Sequence, residues 1–399
     1  MKAGWEIKRL PDIAEYFIGL TYTPKDVGNA GTIVLRSSNV QNDELDLSDL
    51  VRVTCPVKKS LYVRKGDILM CSRNGSKRLV GKTAVIGELP EEMTFGTFMT
   101  VIRSDMSPYL SWFFRAEAFR EQIGVGENTM INQITKYMLD AIRVPIPPEA
   151  EQQLIVAILD EAFEAIAAAR ANAVQNRQNA RALFESYLQS VFSQRCEGWV
   201  ETTVGHQVDF LSGFAFKSSE YTDSEEGVRL VRGDNIVQGE LRWDGVKRWP
   251  INDAPKYSQF FFNENDVVLA MDRPWVAAGL KVAFITKSDL PSLQVQRTAR
   301  LRAKSTIHWK YLFHMLRSPE YVSYLLDGQT GLGVPHISGK QILSFEFPLP
   351  PLNEQQSIVQ RLDALWEDTQ RLESLYQRKI AALDELKQSL LQQAFSGQL

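Results

Sequence analysis

The sequence predicts an α+β protein: two pseudo-symmetric domains of mixed α/β content, separated by an antiparallel coiled coil of two long helices. Three observations predict it. PIPPEAEQQLIVAILD from Pro145 returns as PLPPLNEQQSIVQRLD from Pro348. The offset of 203 residues then holds without a gap through Leu183/Leu386, Leu188/Leu391 and Phe192/Phe395. The segments ahead of each repeat also match, more loosely: GWEIKRL (Gly4) with GWVETTV (Gly198), LRSSNV (Leu35) with VRGDNI (Val231), GDILM (Gly66) with NDVVL (Asn265). A repeat of this length means one structural unit used twice.

Four segments follow from the pattern: a first domain over 1–148, a long helix over 149–195, a second domain over 196–351 and a long helix over 352–399. In the first domain TIVLRS, DILMCS, KTAVIG and TFMTVIR read as strands, and PYLSWFFRAEAFREQIG from Pro108 reads as a helix. In the second, VRLVRG, DVVLAM, KVAFIT and TARLRA are the strands, and IHWKYLFHMLRSPEYVSYLL from Ile307 is the helix. Each domain is long enough for its own core. The offset drifts from 194 to 203 between them, so the second domain carries about nine more residues in its loops.

Prolines in PIPP and PLPP stop whatever precedes them, and a helix starts within a few residues. Glu149, Glu151 and Glu354 fall in the first turns, where negative charge suits the helix dipole. Apolar residues then alternate at spacings of four and three, which predicts a heptad seam. Its members include Ile155, Leu159, Ile166 and Leu183 in the first helix, and Ile358, Leu362, Leu372 and Leu386 in the second. Asn176 and Lys379 are polar residues at the same seam position, candidates for fixing register. About 44 residues give each helix roughly 65 Å at ~1.5 Å per residue. A 150-residue domain has a radius of gyration of only about 15 Å. It is too compact to carry the chain back over that distance, so the helices are expected to run antiparallel.

Composition bounds the function. Hydrophobic residues make up 44% of 399, with no apolar run of membrane-spanning length. Three widely spaced cysteines, Cys55, Cys71 and Cys196, argue against a disulfide framework and a zinc site, and fit a reducing cytoplasm. The net charge is −3. The two helical segments take six acids with four bases and seven acids with five, leaving 36 bases against 35 acids elsewhere. Any positive surface must come from local clustering. A DNA-binding role would need a partner to supply much of the phosphate contact.

Such clusters exist. SRNGSKRLVGK carries Arg73, Lys77, Arg78 and Lys82 around Gly75 and Gly81, and MDRPWVAAGLK carries Arg273 and Lys281. Upstream lie Arg36 and Asn39, then Arg232 and Asn235. A later polar or glycine-rich loop in each domain holds Asn132 and Gln133, or Thr330 and His336. Arg reads guanine and Asn or Gln reads adenine in a major groove; glycine lets backbone approach phosphate. A solvated charged loop has the same composition. Catalytic signals are missing: there is no Walker-type phosphate loop, no His/Cys/Asp cluster at metal spacing and no convincing S-adenosylmethionine motif. All four histidines fall in the second half, so no histidine chemistry is duplicated. These absences favour a binding protein over an enzyme. A two-headed protein–protein scaffold without sequence reading is the alternative.

The full order is variable domain, PxPP helix, variable domain, NEQQSIV helix (Asn353 to Val359) and the tail LLQQAFSGQL. It resembles the specificity subunit of type I restriction–modification systems over the whole chain. The resemblance implies two target-recognition domains, each reading one half of a bipartite, gapped sequence in double-stranded DNA. It implies a chain without catalysis or bound cofactor. It further implies docking of two methyltransferase subunits, joined by two restriction/translocase subunits, with S-adenosylmethionine, ATP and magnesium on those partners. A bacterial or archaeal cytoplasm is the implied location. The first helix departs from the second in reading PEAEQQ (Pro148 to Gln153) where the second has PLNEQQ.

Overall fold

The computed structural model describes residues 2, 4–124, 132–276, 279–327 and 336–399. Its contacts divide the chain into two units, Met1–Val174 with Gln377–Leu399, and Gln175–Tyr376. Each unit therefore owns part of both long helices, which span Glu149–Phe192 and Leu352–Ser396.

Unit one is organised on an antiparallel sheet ordered Glu15–Ile18, Met99–Arg103, Ile68–Cys71, Thr83–Val85. Ile68–Cys71 is buried throughout, which is why ILMC is an unbroken apolar run rather than an alternating one. A second sheet is ordered Met93–Phe95, Thr32–Leu35, Val51–Val53, Val27–Gly28, with its first pair parallel. A two-stranded ribbon pairs Glu6–Arg9 with Arg143–Ile146, so the start of the chain is tied to the segment that launches the first long helix.

Unit two repeats the plan. Its main sheet runs Val208–Ser212, Thr298–Ala303, Val267–Ala270, Val282–Phe284, again antiparallel. A three-stranded sheet sets Val228–Val231 between Arg248–Trp249 and Ser292–Gln294. The ribbon pairs Val200–Thr203 with Glu346–Leu349. The eight strands expected from the sequence are all present.

The helices expected from Pro108 and Ile307 are each two. Ser107–Phe113 is followed by Glu117–Gln122, and Trp309–Met315 by Pro319–Asp327. In the second case the cause is explicit: Pro319 has no amide hydrogen to continue the preceding turn, so it opens a new helix instead.

Within unit one, Ile155 and Leu159 share a core with Leu391, Ala394, Phe395, Tyr109 and Phe113. The Lys387 ammonium lies 5.5 Å over the Phe163 ring, and Arg170 pairs with Asp384 at 3.2 Å. Numbers rise along one helix as they fall along the other, so the pairing is antiparallel. Within unit two the corresponding contacts are Phe184 with Trp366 (5.0 Å between ring centroids) and Arg181 with Glu373 (2.9 Å), antiparallel again. Shifting by 203 turns the Arg170–Asp384 pair into Glu373–Arg181: the same two positions, with the charges exchanged.

The heptad seam needs correction. Ile155, Leu159, Ile166 and Leu362 are buried as expected and Ile358 is half-buried. Leu183 is 62% exposed, Leu372 and Leu386 are exposed, and so are Asn176 and Lys379, which therefore set no register. The inward residues are Ala173, Ala180, Phe184, Leu188 and Val191 in one helix, and Thr369, Ile380 and Leu391 in the other. A straight helix repeats every 3.6 residues and drifts ~20° per heptad from a strict 3.5 pattern. After Ala180 the buried face moves one residue on, from Leu183 to Phe184, and a rigid heptad count misses the step.

Candidate nucleic-acid interface

In unit one the loop after Ile68–Cys71 is held from both sides. The Ser72 and Arg73 amides donate to the Phe98 carbonyl at 2.9 and 3.0 Å, and the buried Ser72 hydroxyl donates to Thr100 Oγ1 at 2.6 Å. From the other side Ile134 N donates to Ser72 O at 2.7 Å, Asn74 N to Asn132 O at 3.3 Å, and Arg73 forms an antiparallel bridge with Gln133. Three separate chain segments thus deliver Arg73, Phe98, Asn132 and Gln133 to one exposed place. The Arg73 guanidinium lies 5.3 Å over the Phe98 ring, which is 53% exposed. Lys77 and Arg78 are exposed on the adjoining turn Lys77–Leu79.

Not every candidate faces outward. Asn39 is fully buried: its Oδ1 accepts from Arg36 N at 2.8 Å, and its Nδ2 donates to the Asp46 and Asp49 carbonyls at 2.9 and 2.8 Å. Asn235 does the same work in unit two, accepting from Arg232 N and donating to Arg242 O, both at 3.0 Å. These amides pin turns and have no edge left for a base, contrary to the expectation. Lys82 donates to the carbonyls of Ser37 and Val40, both at 2.6 Å, and burial lowers its pKa. It is a tether between loops rather than a phosphate contact. Arg36 is paired with Asp49 at 2.7 Å.

Unit two uses the same backbone frame with different side chains. Met271 N donates to Arg297 O and Ile337 N to Met271 O, both at 2.9 Å, and Asp272 bridges His336. Where unit one has Arg73, Gln133 and Phe98, unit two has Asp272, His336 and Arg297. Asp272 holds the other two: Arg297 Nη1 at 2.7 Å and His336 Nδ1 at 2.5 Å. Arg273 and Arg297, on either side of Asp272, have φ of 44° and 63°. Side chains of this size rarely adopt that region, and such strain concentrates at working sites. A concavity of about 780 Å³ collects Arg232, Lys247, Arg273, Lys281 and Arg297 with Asp234 and Asp272. Arg232 pairs with Asp234 at 3.0 Å. Burial lowers the Lys281 pKa, opposed by Asp234. Thr330 lies outside the described residues.

Sequence reasoning missed Phe98, Lys247, Asp272 and Arg297. The signal was present: carrying the 199-residue offset of GDILM/NDVVL forward one strand sets Phe98 against Arg297.

Two copies of one α+β frame, one presenting arginine, amide and aromatic groups and the other arginine, carboxylate and imidazole groups, define a duplicated module with unlike surfaces. The model of the type I restriction modification DNA specificity domain matches twice, over residues 2–176 and 197–381. The chain belongs to the family of type I restriction–modification specificity subunits. It is 26% identical over 421 residues to the EcoKI specificity subunit of Escherichia coli, covering 99% of this chain and 89% of that one. It is 26% identical over 377 residues to the MjaVIII specificity subunit of Methanocaldococcus jannaschii, covering 90% and 86%. The EcoAI specificity subunit of Escherichia coli is 37% identical over 177 residues, which is 44% of this chain and 30% of that subunit. Among solved structures, a chain from work on complex assembly and conformational transition of the type I R-M system superposes with a TM-score of 0.80 at 20% identity, covering 100% and 99%. The HsdS subunit from Thermoanaerobacter tengcongensis gives 0.62 at 20% identity, covering 100% and 98%. No helix among the described residues is long and apolar enough to cross a membrane.

Proposed function

We propose that this chain is the non-catalytic reader of a type I complex. Each unit recognises one half of a bipartite, gapped double-stranded DNA target, and the chain docks two methyltransferase subunits, which carry S-adenosylmethionine. Restriction/translocase subunits with ATP and magnesium complete the assembly. The observation that carries this reading is the shared frame with unlike side chains. Arg73, Phe98, Asn132 and Gln133 in unit one stand where Asp272, Arg297 and His336 stand in unit two. A binding frame that is kept while its exposed groups change suits two different half-sites. Base-edge contacts supply sequence reading, and lysines such as Lys77 supply phosphate contact.

The test is a methylome of a host expressing this chain with its methyltransferase. N6-methyladenine in a gapped, asymmetric motif is the expected result. Methylation without a motif, or band shifts by the complex that do not distinguish target from scrambled DNA, would favour a two-headed protein scaffold instead.

A further inference from the structure

One position of the shared frame carries opposite chemistry in the two units. Phe98 O accepts from Ser72 N at 2.9 Å, and the strand that follows pairs Met99 with Cys71. In unit two Arg297 O accepts from Met271 N at 2.9 Å, and the strand that follows pairs Thr298 with Ala270. One residue earlier, Thr97 N donates to Leu20 O at 3.0 Å, and Gln296 N donates to Phe214 O at 2.7 Å. Matching backbone bonds before, at and after the position make Phe98 and Arg297 equivalents. One sets an apolar ring at the recognition surface, the other a cation.

Both side chains are oriented and both stay open to solvent. Phe98 is exposed and, among the described residues, joins neither apolar core of its unit. The Arg73 guanidinium over its ring steadies it without burying it. Arg297 donates from Nη1 to Asp272 Oδ2, yet its side chain is 68% exposed. The carboxylate aims the guanidinium fork and leaves its outer N–H groups for a ligand. The other oxygen of Asp272 is taken by His336 Nδ1 at 2.5 Å. Asp272 is therefore a positioning residue, and the group it presents is Arg297.

Base edges in a major groove tell these two chemistries apart. Thymine presents a C5-methyl group, the apolar feature that a phenyl ring can cover. Guanine presents the N7 and O6 acceptors, which match a guanidinium fork. Covering one methyl group is worth roughly fourfold in affinity. Losing one hydrogen bond to a charged group costs at least about tenfold.

We propose that this position sets base identity in both half-sites: Phe98 packs on the methyl group of a thymine in the half read by unit one, and Arg297, aimed by Asp272, reads a guanine in the half read by unit two. The proposal rests on the chain being a reader of bipartite DNA and adds one base to each half.

Binding of the assembled methyltransferase to duplexes carrying its methylated motif tests this. Each thymine is replaced in turn by uracil, which removes only the methyl group. Each guanine is replaced in turn by 7-deazaguanine, which removes only the N7 acceptor. One uracil should weaken binding about fourfold. Phe98→Leu keeps an apolar contact and should keep that loss, whereas Phe98→Ala should bind thymine and uracil duplexes alike. One 7-deazaguanine, in the opposite half-site, should weaken binding at least about tenfold. Arg297→Asn, in which asparagine tolerates the φ of 63°, should no longer distinguish guanine from its analogue. A motif without thymine in one half and guanine in the other, or analogues without effect, would overturn the proposal and leave bipartite reading intact. So would a uracil effect that survives Phe98→Ala, since the ring would then serve only as a rest for Arg73. Absence of any motif would overturn the underlying reading instead, and this proposal with it.

Discussion

Trp199 donates its indole N–H to Glu354 Oε2 at 3.1 Å, and 203 residues before that acceptor Glu151 Oε2 takes the same bond from Trp5, also at 3.1 Å. Each glutamate sits in the first turn of a long helix, and each tryptophan lies just ahead of the first strand of its unit. The bond locks the entry of a domain to the start of its helix, where the carboxylate also suits the helix dipole. Glu354→Ala should cost unit two about 1–2 kcal/mol, the usual worth of a hydrogen bond to a charged group when partly exposed. Glu354→Gln should cost less, since an amide oxygen still accepts. Exchange of the Trp199 indole proton, followed by NMR, reads the effect directly and avoids assuming that the whole chain unfolds in one step.

A second repeated device is buried. Arg103 grips Asp67 through two bonds of 2.7 Å, and Arg302 grips Asp266 at 2.7 and 2.8 Å. Both aspartates are almost fully buried, and each also caps a turn through its second oxygen, from Arg64 N or Asn263 N. Asp67→Ala and Asp266→Ala should each destabilise their unit by roughly 1.5–3 kcal/mol, the worth of hydrogen bonds to a charged group, because the guanidinium left behind is part-exposed and stays hydrated. Urea denaturation with one reporter per unit should show the loss confined to the mutated unit.

The His314–Asp363 pair gives unit two an acid sensitivity that the corresponding Trp112–Asp160 pair cannot give unit one. Burial lowers the His314 pKa to about 4, with Arg317 and Lys310 pushing the same way and Asp363 opposing. The unfolded chain takes up a proton near 6.5, the folded unit only near 4. Stability from this group is therefore complete above about pH 6.5 and is lost as the pH falls towards 4, by on the order of 3 kcal/mol. Trp112 occupies the equivalent position in unit one and does not titrate. In His314→Trp the midpoint temperature of unit two should fall less between pH 6.5 and 4 than in the parent chain. Equal slopes would refute the assignment.

The long helices separate what was legible in the sequence from what was not. Their existence and starting points follow from proline stops and acidic first turns, both local properties, while each expected end runs three residues past the observed one. Their inward face does not, because a strict heptad and a straight helix drift apart by ~20° per heptad, enough to move the buried face by one position within a helix of this length. Leu183→Lys and Leu386→Lys should accordingly change the stability of the isolated chain by less than about 0.5 kcal/mol, as for other exposed positions. Phe184→Ala should cost about 3–5 kcal/mol. Thermal melts of the three variants decide between the two faces.

The candidate site divides in the same way. Lysine and arginine in glycine-containing loops are visible in the sequence as clusters, and Arg73, Lys77, Arg78, Arg273 and His336 are indeed exposed. Whether a polar side chain is spent inside the fold depends on the turn it sits in. Asn39 and Asn235 look like base readers by type, but each follows an arginine by three residues and closes that turn on itself. Phe98 and Arg297 escaped notice for the opposite reason. They lie at the edge of a strand, where the amides of Ser72 and Arg73, or of Met271, hold their carbonyls and so bring them into the site.

Half-site reading should then divide by unit. Arg73→Ala or Gln133→Ala should relax one half of the methylated motif and leave the other intact, at about 1–3 kcal/mol for each lost bidentate contact. Arg273→Ala or His336→Ala should relax the other half. Lys77→Ala should instead weaken binding to every sequence alike and lower the salt dependence by about one ion. Binding of the assembled methyltransferase to matched and half-mismatched duplexes at several salt concentrations distinguishes these effects. A single-unit variant that altered both halves together would show that the two surfaces do not read independently.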